Sequence, residues 1–489
     1  MSAVRDRISS VLTQKVGVLV LIMGILFMGL FGFFLTKEWA FLVLPLVFTF
    51  IVWGVKDFRI LYLMIWMTIP FAIEIDLPGG FSTDFPSETL MWASCLFFPV
   101  YLFLNRGEVS FRFIFQPLFI LLFIHFSWII ITTITSQEPI ISIKYTLAKS
   151  WYLVCFIAMP ILLFRRVEDY KQWGLFLFIP LIASIIVVLI RHSQYGFTFS
   201  TVNNAIMPIY RNHVDYACCI GLLLPFAWWM RREATDKRIR NFFTFSLILM
   251  IVGIYFSYTR AAWLCVPLSI GTYFGVRWRM LRVMVPVALA SVILFVGWLS
   301  YDNWYISYAP DYEKTITQKK FSDLVTATYK LEDISSVERF YRWVAGYYMV
   351  KDKPMLGFGP SSFYSVYQSF VDRHFTTYVS NNPEHSGIHN YYLMTAVEQG
   401  IPGLLILLTL MISVLLIGER LYHRMENGPE KALLVAALIS FACNMFILSL
   451  NDTVETDKLG TIYFLCIAIV IQLQMQESKK VRGQETIKA

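Results

Sequence analysis

The stretch His385-Ser-Gly-Ile-His-Asn-Tyr-Tyr-Leu-Met-Thr-Ala-Val-Glu-Gln-Gly-Ile-Pro-Gly403 decides how this chain is organised. It lies where the one long polar segment, residues 301–388, re-enters a run of apolar helices. Two histidines, an asparagine and two tyrosines fall within its first eight residues, directly before a segment apolar enough to cross a membrane. Polar ring systems at such a border indicate that the protein handles something at a membrane surface.

The composition is typical of a polytopic membrane protein. Of the 489 residues, 57% are hydrophobic and 15% are charged, and the mean hydropathy is +0.60. A soluble domain has too little interior for that much apolar surface. Apolar runs near the ~20 residues that cross a bilayer recur along the chain. We therefore predict an all-α polytopic membrane protein with about 12–14 transmembrane helices, and the candidate spans are 16–35, 39–55, 59–76, 88–104, 113–134, 142–163, 173–191, 213–230, 241–258, 261–276, 281–300, 400–417, 431–450 and 458–474.

Basic residues occur in every second loop between these spans, as the positive-inside rule requires if both termini are cytoplasmic. This pattern puts residues 301–388 on the outer side and explains the net charge of +8 without a nucleic-acid partner. The predicted organisation is a transmembrane bundle, an outer loop, a re-entry helix with the last three spans, and a polar, disordered cytoplasmic tail. The corresponding ranges are 1–300, 301–388, 389–474 and 475–489.

Several cationic residues fall at the predicted outer ends of helices, and none is predicted in the middle of a span, where charge is costly. Such residues either extend to the headgroups or bind a ligand. Arg211 and Asp215 are four apart and share a helix face if the helix includes both. Arg260 lies in a tight turn between two apolar helices, and two guanidinium groups at one level suit a pyrophosphate. The cations in question are Lys144, Lys149, Arg191, Arg211 and Arg260.

A second group of residues lies in the outer loop, where helical spacing predicts an amphipathic helix over the membrane domain. Arg339 and Arg342 flank its apolar stripe, which comprises Phe340, Trp343, Val344 and Tyr347. The following Gly357-Phe-Gly-Pro360 predicts a packing turn, because the Lys-Ser/Thr of a phosphate-binding loop is missing.

Five histidines fall on the outer side, where a neutral imidazole can act as a general base near pH 7. His385 and His389 are four apart, but Gly387 between them argues against a helix that would hold both on one metal ion. No metal site is predicted. All seven cysteines fall in candidate spans, so no disulfide is predicted. The outer histidines are His192, His213, His374, His385 and His389.

Taken together, these motifs resemble the O-antigen ligase and O-antigen polymerase superfamily of bacterial inner-membrane glycosyltransferases. The resemblance covers about residues 200–420. It rests on Arg211-Asn-His-Val-Asp, on Ser257-Tyr-Thr-Arg-Ala-Ala-Trp, on Glu338-Arg-x-x-Arg-Trp with Lys-Pro-Met-Leu-Gly-Phe-Gly359, and on His389-Asn-Tyr-Tyr-Leu with Glu-Gln-Gly-Ile-Pro-Gly403.

The resemblance implies an all-α bundle with one large, mostly helical periplasmic loop that caps an outward-facing cavity. It also implies glycan transfer from undecaprenyl pyrophosphate to an acceptor, without a metal or cofactor and with inversion at the anomeric carbon. The acceptor is lipid A–core in the ligases and a second lipid-linked repeat in the polymerases. The protein would face the periplasm from the inner membrane, with membrane lipids as further partners.

The resemblance also implies roles for single residues. Arg211 and Arg260 match the family's pyrophosphate-holding arginines, and His389 matches its essential loop histidine, with His385 as the runner-up for the base. Arg339 or Arg342 matches the loop arginine at the donor pyrophosphate. Substrate contacts from Asp215 and from the rings of Trp343, Tyr391 and Tyr392 are also expected, although packing explains the rings equally well.

Two alternatives remain open. Within the superfamily, the residues do not separate a ligase from an O-antigen or exopolysaccharide polymerase, because both use the same donor chemistry. A lipid-linked glycan flippase or transporter would need polar groups at mid-membrane and paired halves with broken helices. The candidate groups collect at one face instead, which favours an enzyme.

Overall fold

The computed structural model describes residues 57–77, 81–107, 109–302, 334–372, 380, 387–452, 454 and 456–488. The predicted spans 16–35 and 39–55, and most of the outer loop before residue 334, lie outside the described residues. The chain divides into two compact units, of which the smaller comprises residues 1–65 and 92–109. In the smaller unit the rings of Phe58 and Tyr101 stack with centroids 5.0 Å apart.

The protein is an all-α polytopic membrane protein, as predicted. Within the described residues, ten helices are long and apolar enough to cross a membrane by length and composition. The helices are α1 (Phe58–Thr68), α2 (Ser87–Leu104), α3 (Pro117–Ile134), α4 (Pro139–Leu163), α5 (Val167–Ser193), α6 (His213–Glu233), α7 (Lys237–Phe256), α8 (Arg260–Arg277), α9 (Leu281–Ser300), α10 (Ile334–Asp352), α11 (Tyr391–Arg424), α12 (Pro429–Leu448) and α13 (Asp457–Lys488).

The predicted span at 59–76 is wrong in its second half. The helix ends near Pro70, and the chain then forms a hairpin of strands β1 (Ile73–Leu77) and β2 (Phe81–Phe85). The segment Ile73-Glu-Ile-Asp alternates apolar and acidic residues, which is the period of a strand and not of a helix. The predicted span 261–276 forms a helix, α8, but this helix is not one of the ten that are long and apolar enough to cross a membrane.

Helix α6 lies at the centre of the larger unit, which comprises residues 66–91 and 110–489. It packs against α7, α8, α12 and α13, and most of its length is buried. Small residues permit this close approach, because they let helix backbones come together where no water drives association. They include Ala217, Cys218, Cys219 and Gly221. By contrast, α9 is almost entirely exposed, as expected of a helix that faces lipid.

The amphipathic helix predicted in the outer loop is α10, and it packs against the start of α11. Its buried face is formed by Val337, Tyr341, Val344, Ala345 and Met349. The prediction is wrong for Tyr347, which is 41% exposed. The residues after α10 complete an apolar cluster in which Phe358, Phe363 and Tyr367 cover the same part of α11.

Helix α11 is broken at Gly400, which has φ 72° and ψ 178°. The turn after α10 satisfies the backbone groups that the break exposes. Phe358 N–H donates to the Val397 carbonyl at 3.0 Å, and Gly359 N–H donates to the Glu398 carbonyl at 2.9 Å. Ile401 N–H donates back to Pro354 at 2.7 Å. The Gly357–Pro360 segment is therefore a packing turn.

Two further predictions are wrong, one on the position of Lys149 and one on the disorder of the C-terminal tail. Lys149 was expected at the outer end of a span, but it lies near the middle of the 25-residue helix α4 and is only 5% exposed. Its ammonium group lies over the rings of Tyr145, Tyr391 and Phe464, at 5.3–5.9 Å from their centroids. The tail, expected to be disordered from residue 475, continues α13 as a helix to Lys488.

The break in α11 predicts a strong requirement for glycine at position 400. A β-carbon there would collide with the backbone oxygen of Met355, and the positive φ is itself unfavourable for other residues. We expect Gly400→Ala to destabilise the detergent-solubilised protein by about 2 kcal/mol or more, measured by thermal and denaturant unfolding. Gly271→Ala is the matched control, because nothing lies within 4 Å of its added carbon. Equal stability of the two variants would contradict this account of the break.

Candidate active site

The first turn of α6 organises the candidate site. Asn212 caps the helix, and its side-chain oxygen accepts the N–H groups of Val214 and Asp215 at 2.9 Å each. The side-chain oxygen of Asn203 lies 2.9 Å from Nδ1 of His213 and also accepts the His213 N–H. The Thr259 hydroxyl donates to the His213 carbonyl at 3.1 Å, which ties this turn to the start of α8.

Arg260 is the first residue of α8, and its charge reaches the His213 imidazole. Arg339 on α10 acts on the same imidazole, and both Arg339 and Arg342 act on His389. The structure thus brings together residues from four places in the chain. We refer to His213, Arg260, Arg339 and His389 as the imidazole cluster.

The backbone of His389 is held from both sides. Arg342 donates to the Gly387 carbonyl at 3.1 Å, and the Trp343 indole donates to the Ile388 carbonyl at 3.0 Å. Asn390 then caps α11 by accepting the Leu393 N–H at 3.0 Å. His389 itself has a left-handed backbone, with φ 55°. This conformation is uncommon for residues other than glycine, and such strain is often found at functional sites.

Burial, and to a smaller extent the charges of Arg339 and Arg342, lower the pKa of His389 to about 3. The imidazole is therefore neutral at pH 7 and carries a nitrogen lone pair that can accept a proton. Arg342 is itself buried, and its guanidinium lies 3.5 Å from the Glu338 carboxylate. Arg342 thus positions the His389 loop through its hydrogen bond to the Gly387 carbonyl, while Arg339 contributes charge to the cluster.

Arg211 belongs to a second group of charges. Its guanidinium forms an ion pair with Glu74 of β1 at 2.8 Å, and its side chain is 52% exposed. The prediction that Arg211 and Asp215 share a helix face is wrong, because α6 begins at His213 and Arg211 precedes it. Asp215 is buried, within the field of the Arg211 charge.

The strand register brings further carboxylates to Arg211. Asp84 is the partner of Glu74 across the hairpin, and the Ser87 hydroxyl donates to Asp457 at 2.7 Å. The Lys458 ammonium lies 3.9 Å from Asp457 and donates to the Ala72 carbonyl at 2.7 Å. We refer to Glu74, Asp84, Arg211, Asp215, Asp457 and Lys458 as the carboxylate cluster, and together they line a cavity of about 30 Å³.

Burial raises the pKa of Asp84, and the nearby Asp457 carboxylate raises it further, while Arg211 and Lys458 oppose the shift. A carboxyl group with a raised pKa is able to hold a proton closer to neutrality than an ordinary aspartate. Perturbed carboxyl groups beside an arginine are typical of functional sites. Asp84 is therefore a further candidate for proton transfer near Arg211.

The two clusters meet at the first turn of α6, which carries both His213 and Asp215. A second connection runs through Asp452, whose charge acts on Asp215. A β-carbon on Gly387 would collide with the Asp452 carboxylate, so this carboxylate lies against the loop that presents His389. Arg211 and Arg260 thus belong to neighbouring groups of charges around one helix end.

The three predicted sugar-stacking rings are all engaged in the fold. Tyr391 is buried beside Lys149, with its hydroxyl 3.4 Å from the ammonium nitrogen. The Tyr392 hydroxyl donates to the Met445 carbonyl at 2.9 Å. The Trp343 indole is bonded to Ile388, as described above. These contacts favour the packing interpretation that the sequence had left open.

His385, the predicted runner-up for the base, lies outside the described residues. Four site residues were missed by sequence reasoning, namely Glu74, Asp84, Asp457 and Lys458. The sequence places Asp84 and Asp457 in short loops between predicted spans, but it does not show which side chains approach Arg211. That information requires the register of the hairpin and its contact with α13.

Residues 245–408 match the family model described as O-antigen ligase. This segment contains Arg260, Arg339, Arg342 and His389. The match shows that this segment is similar to the O-antigen ligase family. The resemblance inferred from the sequence motifs is thereby confirmed. Arg211 and the hairpin lie before the matched residues. A search of curated proteins finds no match.

The low pKa of His389 is directly testable. We expect the ring of His389 to stay neutral from pH 8 down to about pH 5, because with a pKa of about 3 it gains a proton only at still lower pH. Arg339→Gln removes one of the charges that lower this pKa and should raise it. Nuclear magnetic resonance of protein labelled in histidine nitrogen measures both. Arg424→Gln, at an exposed residue at the end of α11, is the control. Titration of His389 near pH 6.5 in wild-type protein would contradict the assignment.

Proposed function

We propose that this protein is a membrane glycosyltransferase that moves a glycan from undecaprenyl pyrophosphate to an acceptor at the periplasmic face of the inner membrane. The observation that carries the proposal is the imidazole cluster, in which two arginines act on two neutral imidazoles within the segment that matches the O-antigen ligase family. The positive-inside pattern of the sequence supports a periplasmic location for this end of the bundle.

The arginines suit the donor. A glycosyl pyrophosphate already has a good leaving group, so its departure depends mainly on fixed positive charge around the developing phosphate anion. Arg260 and Arg339 supply such charge in the imidazole cluster. Arg211 supplies it in the carboxylate cluster, where a pyrophosphate would compete with Glu74 for the guanidinium. Arginine presents a planar fork that matches two phosphate oxygens. In this proposal no metal is required.

His389 suits the acceptor. A neutral imidazole accepts the proton of an acceptor hydroxyl as that oxygen attacks the anomeric carbon and the carbon–pyrophosphate bond breaks. A single displacement of this kind inverts the anomeric configuration. Arg339, one of the two cations that lower the pKa of His389, is also one that a bound pyrophosphate would compensate. Donor binding would therefore raise the basicity of His389 when it is needed.

We propose a ligase with lipid A–core as acceptor, in keeping with the description of the matching family as O-antigen ligase. A polymerase that joins lipid-linked repeats would use the same donor chemistry. The buried Lys149 removes one argument against a transporter, because it is a charge near mid-span. Its enclosure by three aromatic rings is nevertheless typical of a structural group and not of a translocation path.

The proposal predicts separate effects for base and arginine variants. His389→Asn, which tolerates the left-handed backbone, should lower the transfer rate about 100-fold or more through loss of the base. Arg260→Ala should lower it about 100- to 1,000-fold, and Arg260→Lys should restore little, because a point charge does not reproduce the fork. Transfer is measured in proteoliposomes with undecaprenyl-pyrophosphate glycan, and Arg424→Ala is the control. Wild-type rates in the His389 variant would refute its role and make Asp84 and His385 the next residues to test.

The acceptor is tested by competition. Purified protein receives the lipid-linked glycan donor with lipid A–core and a second lipid-linked repeat present together. We expect glycosylated lipid A–core as the main product, and equal transfer with and without a chelator. Longer lipid-linked chains would identify a polymerase. Movement of the donor across the bilayer without any product would support a transporter instead.

A further inference from the structure

A cavity of about 930 Å³ lies between α6, α8, α11 and α12, at the end of the bundle opposite the imidazole cluster. Three members of the imidazole cluster lie at or near the starts of helices. His213 begins α6, Arg260 begins α8, and His389 lies two residues before α11. The cavity is lined by residues near the ends of the same three helices, including Trp229, Tyr273 and Tyr422. These helices therefore run in the same direction, and the cavity lies at the opposite membrane face.

Most of the cavity wall is apolar. It is formed by aliphatic and aromatic side chains of α6, α8 and α12, with Ala432 and Ala436 leaving space where a larger side chain would fill it. Trp228 and Ile270 line the cavity and are each 57% exposed, so the cavity opens towards the membrane. Tryptophan at such a level is typical of the boundary between the acyl chains and the headgroups.

Three cations line the cavity, one from each of α6, α8 and α12, and no carboxylate does so in the part of the chain that the structure describes. Arg232 lies 3.6 Å from Glu233, and Arg277 lies 3.5 Å from the Tyr273 hydroxyl. Lys431 donates to the Met425 carbonyl at 3.0 Å and lies 4.4 Å above the Tyr422 ring. Arg232 and Arg277 remain exposed.

We propose that this cavity binds an acidic phospholipid of the cytoplasmic leaflet. Its acyl chains would occupy the apolar wall, and its phosphate would contact Arg232, Arg277 and Lys431. The charge pattern decides the class of lipid, because three cations without a lining carboxylate select a negative headgroup over a zwitterionic one. Basic pockets between transmembrane helices on the cytoplasmic side commonly bind such headgroups. The positive-inside rule assigns this basic end of the bundle to the cytoplasm.

The site is independent of the glycan donor. The donor pyrophosphate is proposed to bind at the opposite ends of the same helices, and none of the residues of the imidazole or carboxylate clusters lines this cavity. A failure of the proposed glycosyl transfer would therefore leave the lipid site untouched. The reverse also holds.

The test is native mass spectrometry of the full-length protein from micelles that contain equal amounts of phosphatidylglycerol and phosphatidylcholine. We expect wild-type protein to retain phosphatidylglycerol preferentially. Each basic residue near the surface contributes about fivefold to binding of an acidic lipid. The triple variant Arg232→Gln, Arg277→Gln and Lys431→Gln should therefore bind phosphatidylglycerol at least about tenfold more weakly, with a smaller effect on phosphatidylcholine.

The matched control removes three charges from the same face. Lys237, Arg238 and Arg240 at the start of α7 are exposed and do not line the cavity, so their replacement by glutamine should change retention less than about twofold. Ala432→Trp fills the cavity with all charges intact and should also abolish selective retention. Equal retention of the two lipids by wild-type protein, or an unchanged preference in the triple variant, would overturn the proposal. Retention of neither lipid would indicate that protein covers the cavity, and would overturn it as well.

Discussion

The hydrogen bonding of the broken backbone at Gly400 is the constraint on which the rest of the site depends. Within a membrane, irregular backbone is tolerated only where protein satisfies its polar groups. Here the turn after α10 does so through Phe358 and Gly359, and the Trp128 indole donates to the Gln399 carbonyl at 2.9 Å. The same bonds attach the outer-loop segment to the bundle. The position of α10, and hence of Arg339 and Arg342, follows from the way that α11 is broken.

The electrostatics of the site follow from this attachment. Because α10 is held against α11, the positive charge of Arg339 acts on the imidazoles of both His213 and His389. His213 begins α6, whereas His389 directly precedes the cap of α11. The cations are concentrated on one side of the first turn of α6, and the carboxylates of the hairpin and α13 on the other. An anionic donor would be attracted by the first group, whereas in the second group the carboxylates would oppose its attraction to Arg211. The acidic residues therefore restrict where on this surface a pyrophosphate can settle.

The helical architecture could be predicted because its signals are local. Apolar length and loop charge each depend on a few neighbouring residues. Arg260 and His389 were also selected as candidates by motif, and both lie within the segment that the family model matches. The hairpin at Ile73–Phe85 was missed, because a period of two over a few residues was merged with the preceding apolar run.

Other features could not be predicted because they depend on contacts between distant segments. The ion pair of Arg211 with Glu74 and the hydrogen bond of Arg342 to the Gly387 carbonyl each join groups more than 40 residues apart in the chain. The exposure of Tyr347 depends on how α10 is rotated against its neighbours. Helical spacing alone predicts the buried face of such a helix only to within about one residue on either side.

Lys149 has a consequence for the rotational setting of α4. A helix composed almost entirely of apolar residues has little reason to prefer one face towards its neighbours, since lipid and protein solvate it equally well. One ammonium near its middle removes that freedom. Turning α4 by a single residue would carry the charge from its aromatic enclosure towards lipid, at a cost of about 2.5–3.5 kcal/mol. Lys149 thus fixes the rotation of α4 about its own axis. Its contact with Tyr391 also aligns α4 with α11, the helix that begins two residues after His389.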